Sequence, residues 1–130
     1  VLSHNIEAVR RVFARVRPGG NYDVSLQLLR KVKEINPNMK TKSSIILGFD
    51  ETKEEIIQTM KDLLDNKVDF LTLGQYLQPS MIHVKIEKYY RPEEFEELRK
   101  IGMGMGFKHV EAGPLVRSSY RADKLNSLIK

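Results

Sequence analysis

The residues best equipped for chemistry form a run near the C-terminus, where Arg117, Ser118, Ser119 and Tyr120 place a guanidinium, two hydroxyls and a phenol side by side. Serine also favours the first position of a helix, so a turn followed by a helix cap is the alternative explanation of this run. A serine nucleophile would require a nearby base and an oxyanion site. The sequence shows neither a nucleophile elbow nor a credible Ser/His/Asp set, which makes hydrolase chemistry a poor fit.

Other ionisable residues that could serve a site are the histidines and one carboxylate pair. His4, His83 and His109 have no short metal-ligand spacing, which disfavours a metal site, although His4 falls at a predicted strand end where it could face a ligand. Asp50 and Glu51 could form an acid-base pair, but because they are adjacent, one would face the site while the other serves the capping of the following helix, and capping is favoured over catalysis. The run Thr52-Lys53-Glu54-Glu55 matches a capping box and predicts the start of that helix.

The composition describes one globular domain, or part of one, and excludes several classes of protein. With 130 residues, 41% of them hydrophobic, and a net charge of +5 spread along the chain, it lacks both the signature of disorder and the clustered basic face of a nucleic-acid binder. The absence of cysteine excludes a disulfide scaffold, a thiolate zinc site and a complete cysteine-bound iron-sulfur cluster within these residues.

The chain carries no apolar stretch long enough to cross a membrane and no secretory signal. We therefore expect a cytoplasmic protein, or one of the mitochondrial matrix in a eukaryote, with neither a membrane nor a nucleic-acid partner. The start at Val1, without a methionine, indicates a segment of something longer.

Short apolar strands alternate with amphipathic helices along the chain. The predicted strands cover residues 1–2, 41–48, 68–73 and 107–112, and the predicted helices cover 6–16, 23–35, 53–64, 92–106 and 122–129. This order implies a parallel sheet covered by helices, in which chemistry gathers at the carboxyl ends of the strands. The polar segments 3–5, 48–51, 75–80 and 113–120 fall at those ends and predict an active rim there.

Six motifs spread over the whole chain form one set. They are His4-Asn5-Ile6-Glu7, Val16-Arg17-Pro18-Gly19 with Tyr22 and Ser25, Thr41-Lys42-Ser43-Ser44, Leu47-Gly48 with Glu51-Thr52, the run from Leu71 to Ser80 around Gln75-Tyr76, and the run from Gly113 to Tyr120. In this order the chain resembles the lipoyl synthases, a family of radical S-adenosylmethionine enzymes, and the resemblance is to the C-terminal half of the family only.

The resemblance implies a fold and an activity. The expected fold is α/β, the C-terminal portion of a partial parallel (β/α) barrel of the radical S-adenosylmethionine type, with that half barrel over 1–116 and the Arg-Ser-Ser-Tyr segment and a terminal helix over 117–130. The expected activity inserts two sulfur atoms into an octanoyl chain carried by a lipoyl carrier protein or domain. The implied cofactors are S-adenosylmethionine, which is split to a deoxyadenosyl radical, and two 4Fe-4S clusters, of which an auxiliary one donates the sulfur.

The resemblance also implies roles for particular residues. Ser118 or Ser119 would be the non-cysteine ligand of the auxiliary cluster, and Arg117 would steady that segment or the negative charge of the cluster. A serine oxygen is a harder and weaker partner for iron than a thiolate, which suits a ligand that is later released. The other implied residues are Asn5, Glu7, Arg17 and Ser25 for the polar groups of the cofactor, Ile46 for its adenine, and Gln75 and Tyr76 for the cofactor pocket or the octanoyl tunnel.

The resemblance implies that each of the two clusters is held by three cysteines. This chain contains no cysteine, so both sets of ligands are missing from it. A segment without them should be inactive alone and should associate with the missing N-terminal half of the barrel. An alternative is a non-catalytic α/β module that docks an acidic carrier domain. A third possibility, another barrel enzyme with a phosphate-bearing substrate, is disfavoured since the glycine run at 102–106 has the wrong spacing for a phosphate loop, and Gly106 is better explained as a helix C-cap.

Overall fold

The computed structural model describes residues 1–78 and 84–116, and this part of the chain forms four strands and four helices. Their bounds are β1 Leu2–Ser3, α1 Arg10–Val16, α2 Tyr22–Ile35, β2 Thr41–Leu47, α3 Lys53–Asp65, β3 Phe70–Gln75, α4 Pro92–Met105 and β4 His109–Gly113. The strands form one sheet in the order β1-β2-β3-β4, and every neighbouring pair is parallel. This confirms the predicted fold class, and the sequential strand order is consistent with a portion of a partial (β/α) barrel.

The two faces of the sheet differ in chemistry, because successive residues of a strand point to opposite sides. On one face the strand residues are apolar and join the helices in the core: Ile45, Leu47, Leu71, Leu73 and Val110. On the other face the register aligns Ser44 with Thr72, and Thr72 with Glu111. The hydroxyls of Ser44 and Thr72 hydrogen-bond to each other, and the neighbouring Lys42 is fully buried. One face of the sheet therefore packs in the hydrophobic core, and the other face carries polar side chains.

Capping residues set the helix boundaries that the sequence predicted for α3 and α4. The Glu55 amide donates to the Thr52 hydroxyl at 3.2 Å, while the Thr52 amide donates to the Glu55 carboxylate at 2.9 Å, which completes the capping box. Pro92 lies in the first turn of α4, and Gly106 ends that helix with a φ of 126°. These boundaries are confirmed.

The first helix is shorter than predicted. It begins at Arg10, because the residues before it continue along β2 as extended chain, and Glu7 forms a parallel bridge with Ile45. The predicted helix over 6–16 is wrong in its first turn. Ile6 and Val9, whose spacing suggested a helix here, are nonetheless buried, so they are core residues that lie before the helix begins.

Some predictions concern residues outside the described ranges. These are the terminal helix over 122–129, the boundary between 1–116 and 117–130, the segment Arg117-Ser118-Ser119-Tyr120, and His83. They stay predictions. Within residues 1–78 and 84–116, no helix is long and apolar enough to cross a membrane.

Candidate functional site

The chain beyond β1 brings the first candidate residues to the edge of β2. The Ile6 amide donates to the Ser43 Oγ at 2.9 Å. The Glu7 amide then donates to the Ser44 carbonyl at 3.0 Å, and the Glu7 carbonyl accepts from the Ile46 amide at 2.7 Å. Glu7 has a φ of 77°, a left-handed conformation that costs a non-glycine residue free energy and is found where surrounding contacts impose it. The backbone contacts thus fix Glu7 beside Ile46.

Polar side chains converge at this end of β1: His4, Asn5, Glu7 and Arg17. Burial raises the pKa of the Glu7 carboxyl above its usual value, against smaller opposing effects of the Arg17 guanidinium and of a hydrogen bond from Asn5. Burial, and then the charge of Arg17, lower the pKa of His4, which favours a neutral imidazole. Arg17 comes from the end of α1, where its amide donates to the Phe13 carbonyl at 2.8 Å. Asn5, Glu7 and Arg17 therefore share one electrostatic environment.

An apolar surface lies next to this polar group. Ile46 is half-buried and is aligned with Gly74 in the register of β2 and β3. A β-carbon added at Gly74 would lie 2.6 Å from the Val116 carbonyl oxygen, so the turn that follows β4 can approach the end of β3 only because position 74 is a glycine. Ile46 thus lies beside Glu7 on one side and beside Gly74, the residue that the turn after β4 approaches, on the other.

The side chain of Gln75 fastens a neighbouring segment to the rim. It is 8% exposed, its Nε2 donates to the Lys88 carbonyl at 2.9 Å, and its Oε1 accepts from the Tyr90 amide at 2.9 Å. The Gly48 carbonyl accepts from the amides of Glu87 and Lys88, at 2.7 and 3.1 Å. The segment 87–90 is therefore held to the ends of both β2 and β3, and the Gln75 amide is committed to that contact.

Tyr76 is also engaged within the protein. Its ring stacks on Phe49 with 4.6 Å between ring centroids, and its hydroxyl donates to the Val84 carbonyl at 2.6 Å. The Tyr76 amide donates to the Leu47 carbonyl at 2.7 Å, which extends the pairing of β3 with β2. Gln75 and Tyr76 lie at the rim as predicted, and their contact with a cofactor or an acyl chain stays a prediction.

Glu51 organises the loop between β2 and α3. Its carboxylate accepts from the amides of Gly48 at 3.3 Å and Phe49 at 3.2 Å, and from the Tyr90 hydroxyl at 2.7 Å. Burial raises the pKa of Glu51, although these donors act in the opposite direction. The carboxylate is a structural acceptor that joins this loop to the segment before α4.

The capping role expected of Asp50 and Glu51 is wrong, because Thr52 and Glu55 cap α3 instead. The Asp50 carboxylate faces α1, where it pairs with Arg15 at 2.5 Å and with Arg11 at 3.3 Å. These ion pairs connect the loop after β2 to the helix after β1.

The remaining predicted site residues are not joined to the group around Glu7 by these contacts. Ser25 lies on the buried face of α2, and its amide donates to the Asn21 carbonyl at 3.1 Å. Arg117, Ser118 and Ser119 fall outside the described residues. The roles of these four residues stay predictions.

Sequence reasoning missed two residues of this region. Tyr90 contacts both Glu51 and Gln75, yet it lies in an irregular stretch that suggested no structure. Lys42 is fully buried on the polar face of the sheet. No local alternation of polar and apolar residues marks Lys42, because it stands between Thr41 and Ser43, so the available signal was its place two positions before Ser44 on the same side of the strand.

The group around Glu7 suits an organic ligand that carries both charges. A carboxylate can receive an amine, a guanidinium can receive a carboxylate, and the adjacent Ile46 can pack against a flat apolar ring. A metal centre is not apparent: residues 1–78 and 84–116 bring together no three His, Cys, Asp or Glu side chains suited to one ion.

Comparison with known proteins identifies relatives of the chain, although no family model matches it. It is 60% identical over 124 residues to a lipoyl synthase of Bacillus pumilus (strain SAFR-032) and 59% identical over 124 residues to a lipoyl synthase of Bacillus subtilis (strain 168). A lipoyl synthase of Staphylococcus epidermidis is 60% identical over 124 residues. The matches cover 95% of this chain and 41–42% of the length of these relatives. The resemblance inferred from the motifs is confirmed: the chain is a homologue of the lipoyl synthases and corresponds to their C-terminal part.

Proposed function

We propose that this chain is part of a lipoyl synthase that inserts two sulfur atoms into a protein-bound octanoyl chain and so makes the lipoyl cofactor. The observation that carries the proposal is the convergence of Asn5, Glu7 and Arg17 beside Ile46 at the carboxyl ends of parallel strands. Ligands of open parallel sheets and barrels bind at this edge. The 60% identity to lipoyl synthases supports the same conclusion.

Under this proposal the rim holds S-adenosylmethionine. The Glu7 carboxylate would receive the amine of its methionine moiety, Arg17 would pair with its carboxylate, and Asn5 would orient Glu7 through their hydrogen bond. Ile46 would pack against the adenine. When bound, S-adenosylmethionine supplies hydrogen-atom abstraction from an unactivated carbon. Glu7 is half-buried, and the partial burial that raises its pKa would also strengthen each of these charged contacts.

The residues present do not fit a complete iron-sulfur cluster. The chain has no cysteine, and serine oxygens alone do not hold a 4Fe-4S cluster. The cysteine ligands of both clusters would come from outside these 130 residues, with Ser118 or Ser119 as the single non-cysteine ligand of the auxiliary cluster. On this basis these residues alone are inactive.

The proposal implies two partners. One is an octanoylated lipoyl carrier protein or domain, which supplies the substrate, and the net charge of +5 suits an acidic carrier. The other is the N-terminal half of the barrel. Among the described residues β1 and β4 are the edges of the sheet, and a barrel continues through further strands at such an edge.

The proposal is tested by separate Ser118→Ala and Ser119→Ala substitutions in the full-length enzyme, with Ser127→Ala as a control serine of the same C-terminal stretch. We expect one of the two variants to lose lipoyl product and to change the iron content or the spectrum of the auxiliary cluster, while Ser127→Ala behaves as the unsubstituted enzyme. Unchanged iron content and unchanged product in both variants would contradict the role of the serine segment.

A further inference from the structure

Helix α2 carries a second apolar surface besides the one that it buries in the core. Its exposed apolar side chains are Val24, Leu28 and Ile35, which are 56%, 46% and 75% exposed, and the half-buried Val32 lies between the last two. At spacings of four, four and three residues, these four side chains are neighbours along one side of the helix, and we call them the α2 stripe. A continuous apolar patch, unlike single exposed apolar residues, marks a surface against which something else packs.

The contacts of α2 with α3 show which flank the stripe occupies. The Tyr22 hydroxyl donates to the Asp62 carboxylate at 2.8 Å, and the Arg30 guanidinium donates to the Asp65 carbonyl at 2.9 Å. At 3.6 residues per turn, the three exposed members of the stripe lie within about 40° of one another around the helix axis and roughly 120–160° from Arg30. The stripe is therefore on the flank of α2 that points away from α3.

That flank also points past the edge of the sheet. The α2 helix lies between β1 and β2 in the chain, α3 lies between β2 and β3, and the strands are ordered β1-β2-β3-β4. In a (β/α) barrel the helices form a ring outside the strands and follow the same order. The next position in the ring, beyond α2, therefore belongs to the unit whose strand would pair with the open edge of β1.

The apolar face of the sheet is also less covered at β1 than at its centre. Leu2 is aligned with Thr41, which is an even number of positions from Ile45 and Leu47 and so lies on the same face as they do. Leu2 is only half-buried, whereas Ile45 and Leu47 are 1% and 0% exposed. Apolar side chains of the edge strand and of the neighbouring helix are thus exposed on the same side of the described structure.

We propose that the α2 stripe docks the apolar face of the helix from the β/α unit that precedes β1 in the full-length protein. The relatives have room for such a unit, since this chain corresponds to their C-terminal part and to only 41–42% of their length. Four aliphatic side chains at helical spacing suit an amphipathic helix packed alongside α2. The inference rests on the proposal that the chain is part of a longer lipoyl synthase, and it involves none of the residues proposed to hold S-adenosylmethionine.

The test is photochemical cross-linking of the full-length protein with benzoylphenylalanine in place of Leu28. The control carries the same photoreactive residue in place of Glu34, an exposed residue on another side of the same helix. We expect peptides that join the Leu28 position to residues before Val1 of the same chain, and none from the Glu34 position. A cross-link to a second copy or to an added lipoyl carrier protein instead, a cross-link confined to residues 1–130, or none at all would overturn the proposal.

A second measurement uses ordinary substitutions. Leu28→Ala combined with Ile35→Ala in the full-length protein should lower the urea unfolding midpoint by about 1 M, because shortened side chains would leave cavities against the neighbouring helix. Gln27→Ala combined with Glu34→Ala changes two exposed polar residues of the same helix and should leave the midpoint unchanged. Equal midpoints in the two variants would overturn the docking. Binding of S-adenosylmethionine should be unchanged in both, so failure of the docking and failure of the proposed cofactor site are distinguishable.

Discussion

The two ends of the parallel sheet differ in how their polar and charged side chains are paired. At the carboxyl ends, Glu51 and Gln75 are each satisfied by two or more donors and acceptors, and Tyr90 connects them. At the amino ends, one carboxylate, Asp69, pairs with two lysines, Lys33 and Lys108. The first end is held together by contacts within the chain, and Glu7 and Arg17, proposed to bind S-adenosylmethionine, lie at the same end. At the second end two lysines depend on the same carboxylate, so the loss of that one group would remove both ion pairs.

A substitution at Gly48 is the strongest test of the close packing at the carboxyl end of the sheet. Its φ is 128°, and a β-carbon there would lie 2.3 Å from the Gln75 Nε2 and 2.9 Å from the Lys88 carbonyl oxygen. Gly48→Ala should therefore destabilise the protein by about 4 kcal/mol, since strain and a clash with backbone act together. Urea unfolding of the full-length protein measures the change. Gly104→Ala, where an added β-carbon meets nothing within 4 Å, should be neutral or stabilising. Equal effects of the two substitutions would show that the rim is not closely packed.

The dependence of the amino end on one carboxylate is tested by Asp69→Asn. Loss of the charge leaves Lys33, which is 11% exposed in its side chain, without its ion-pair partner. The expected loss of stability is about 3 kcal/mol by urea unfolding, as for other broken buried pairs. Asp23→Asn, which breaks an exposed pair with Arg10, should leave the unfolding midpoint unchanged. A neutral Asp69→Asn would contradict the account of this end.

The same carboxylate predicts a pH dependence. Burial raises the pKa of Asp69, but Lys33, the Thr41 amide and Lys108 together lower it below its usual value. A carboxyl whose folded pKa is depressed contributes stability above its unfolded pKa of about 3.9, and this contribution is lost as the pH falls through the folded pKa. The unsubstituted protein should therefore lose more stability than Asp69→Asn when the pH is lowered from 6 to below about 4. Parallel pH profiles of the two unfolding free energies would contradict the assignment.

A smaller effect is expected at Tyr90, which donates to the Glu51 carboxylate at 2.7 Å. Tyr90→Phe should cost about 1.5 kcal/mol at pH 7, as for other hydrogen bonds to a charged acceptor. Because burial already raises the pKa of Glu51, protonation of that group is favoured in the folded state, and the cost should decrease as the pH falls toward 5. Tyr89→Phe, at a side chain that is 67% exposed, is the control and should change nothing. A cost that does not vary with pH would argue against Glu51 as the acceptor.

Much of the fold was predictable from the sequence, because local signals and tertiary structure agree there. The capping box at Thr52, the helix start at Pro92 and the helix end at Gly106 each have a local physical cause that the structure retains. The first turn of the predicted helix at Ile6 failed for the opposite reason. Pairing of Glu7 with β2 is a contact between distant segments, and helical spacing of apolar residues cannot report it.

The site was predictable only in part. The reason is again the separation in sequence between the residues that contact each other. The strand ends located the rim, and the motif around Asn5 and Glu7 located its charged group. The partners of Glu51 could not be foreseen, since Tyr90 reaches it across 39 positions of sequence. The place of Asp50 and Glu51 just before α3 favoured a capping role for one of them, but in the structure Thr52 is the residue that caps α3.

The central claim is that the charged group around Glu7 holds S-adenosylmethionine, and its most direct test is the dissociation constant of that compound. It should be measured for the full-length enzyme, for Glu7→Gln, and for Glu54→Gln as an exposed control carboxylate. We predict a dissociation constant at least tenfold higher for Glu7→Gln, equivalent to about 1.4 kcal/mol, with unchanged iron content and an unaffected control. Equal dissociation constants in all three proteins would contradict the claim.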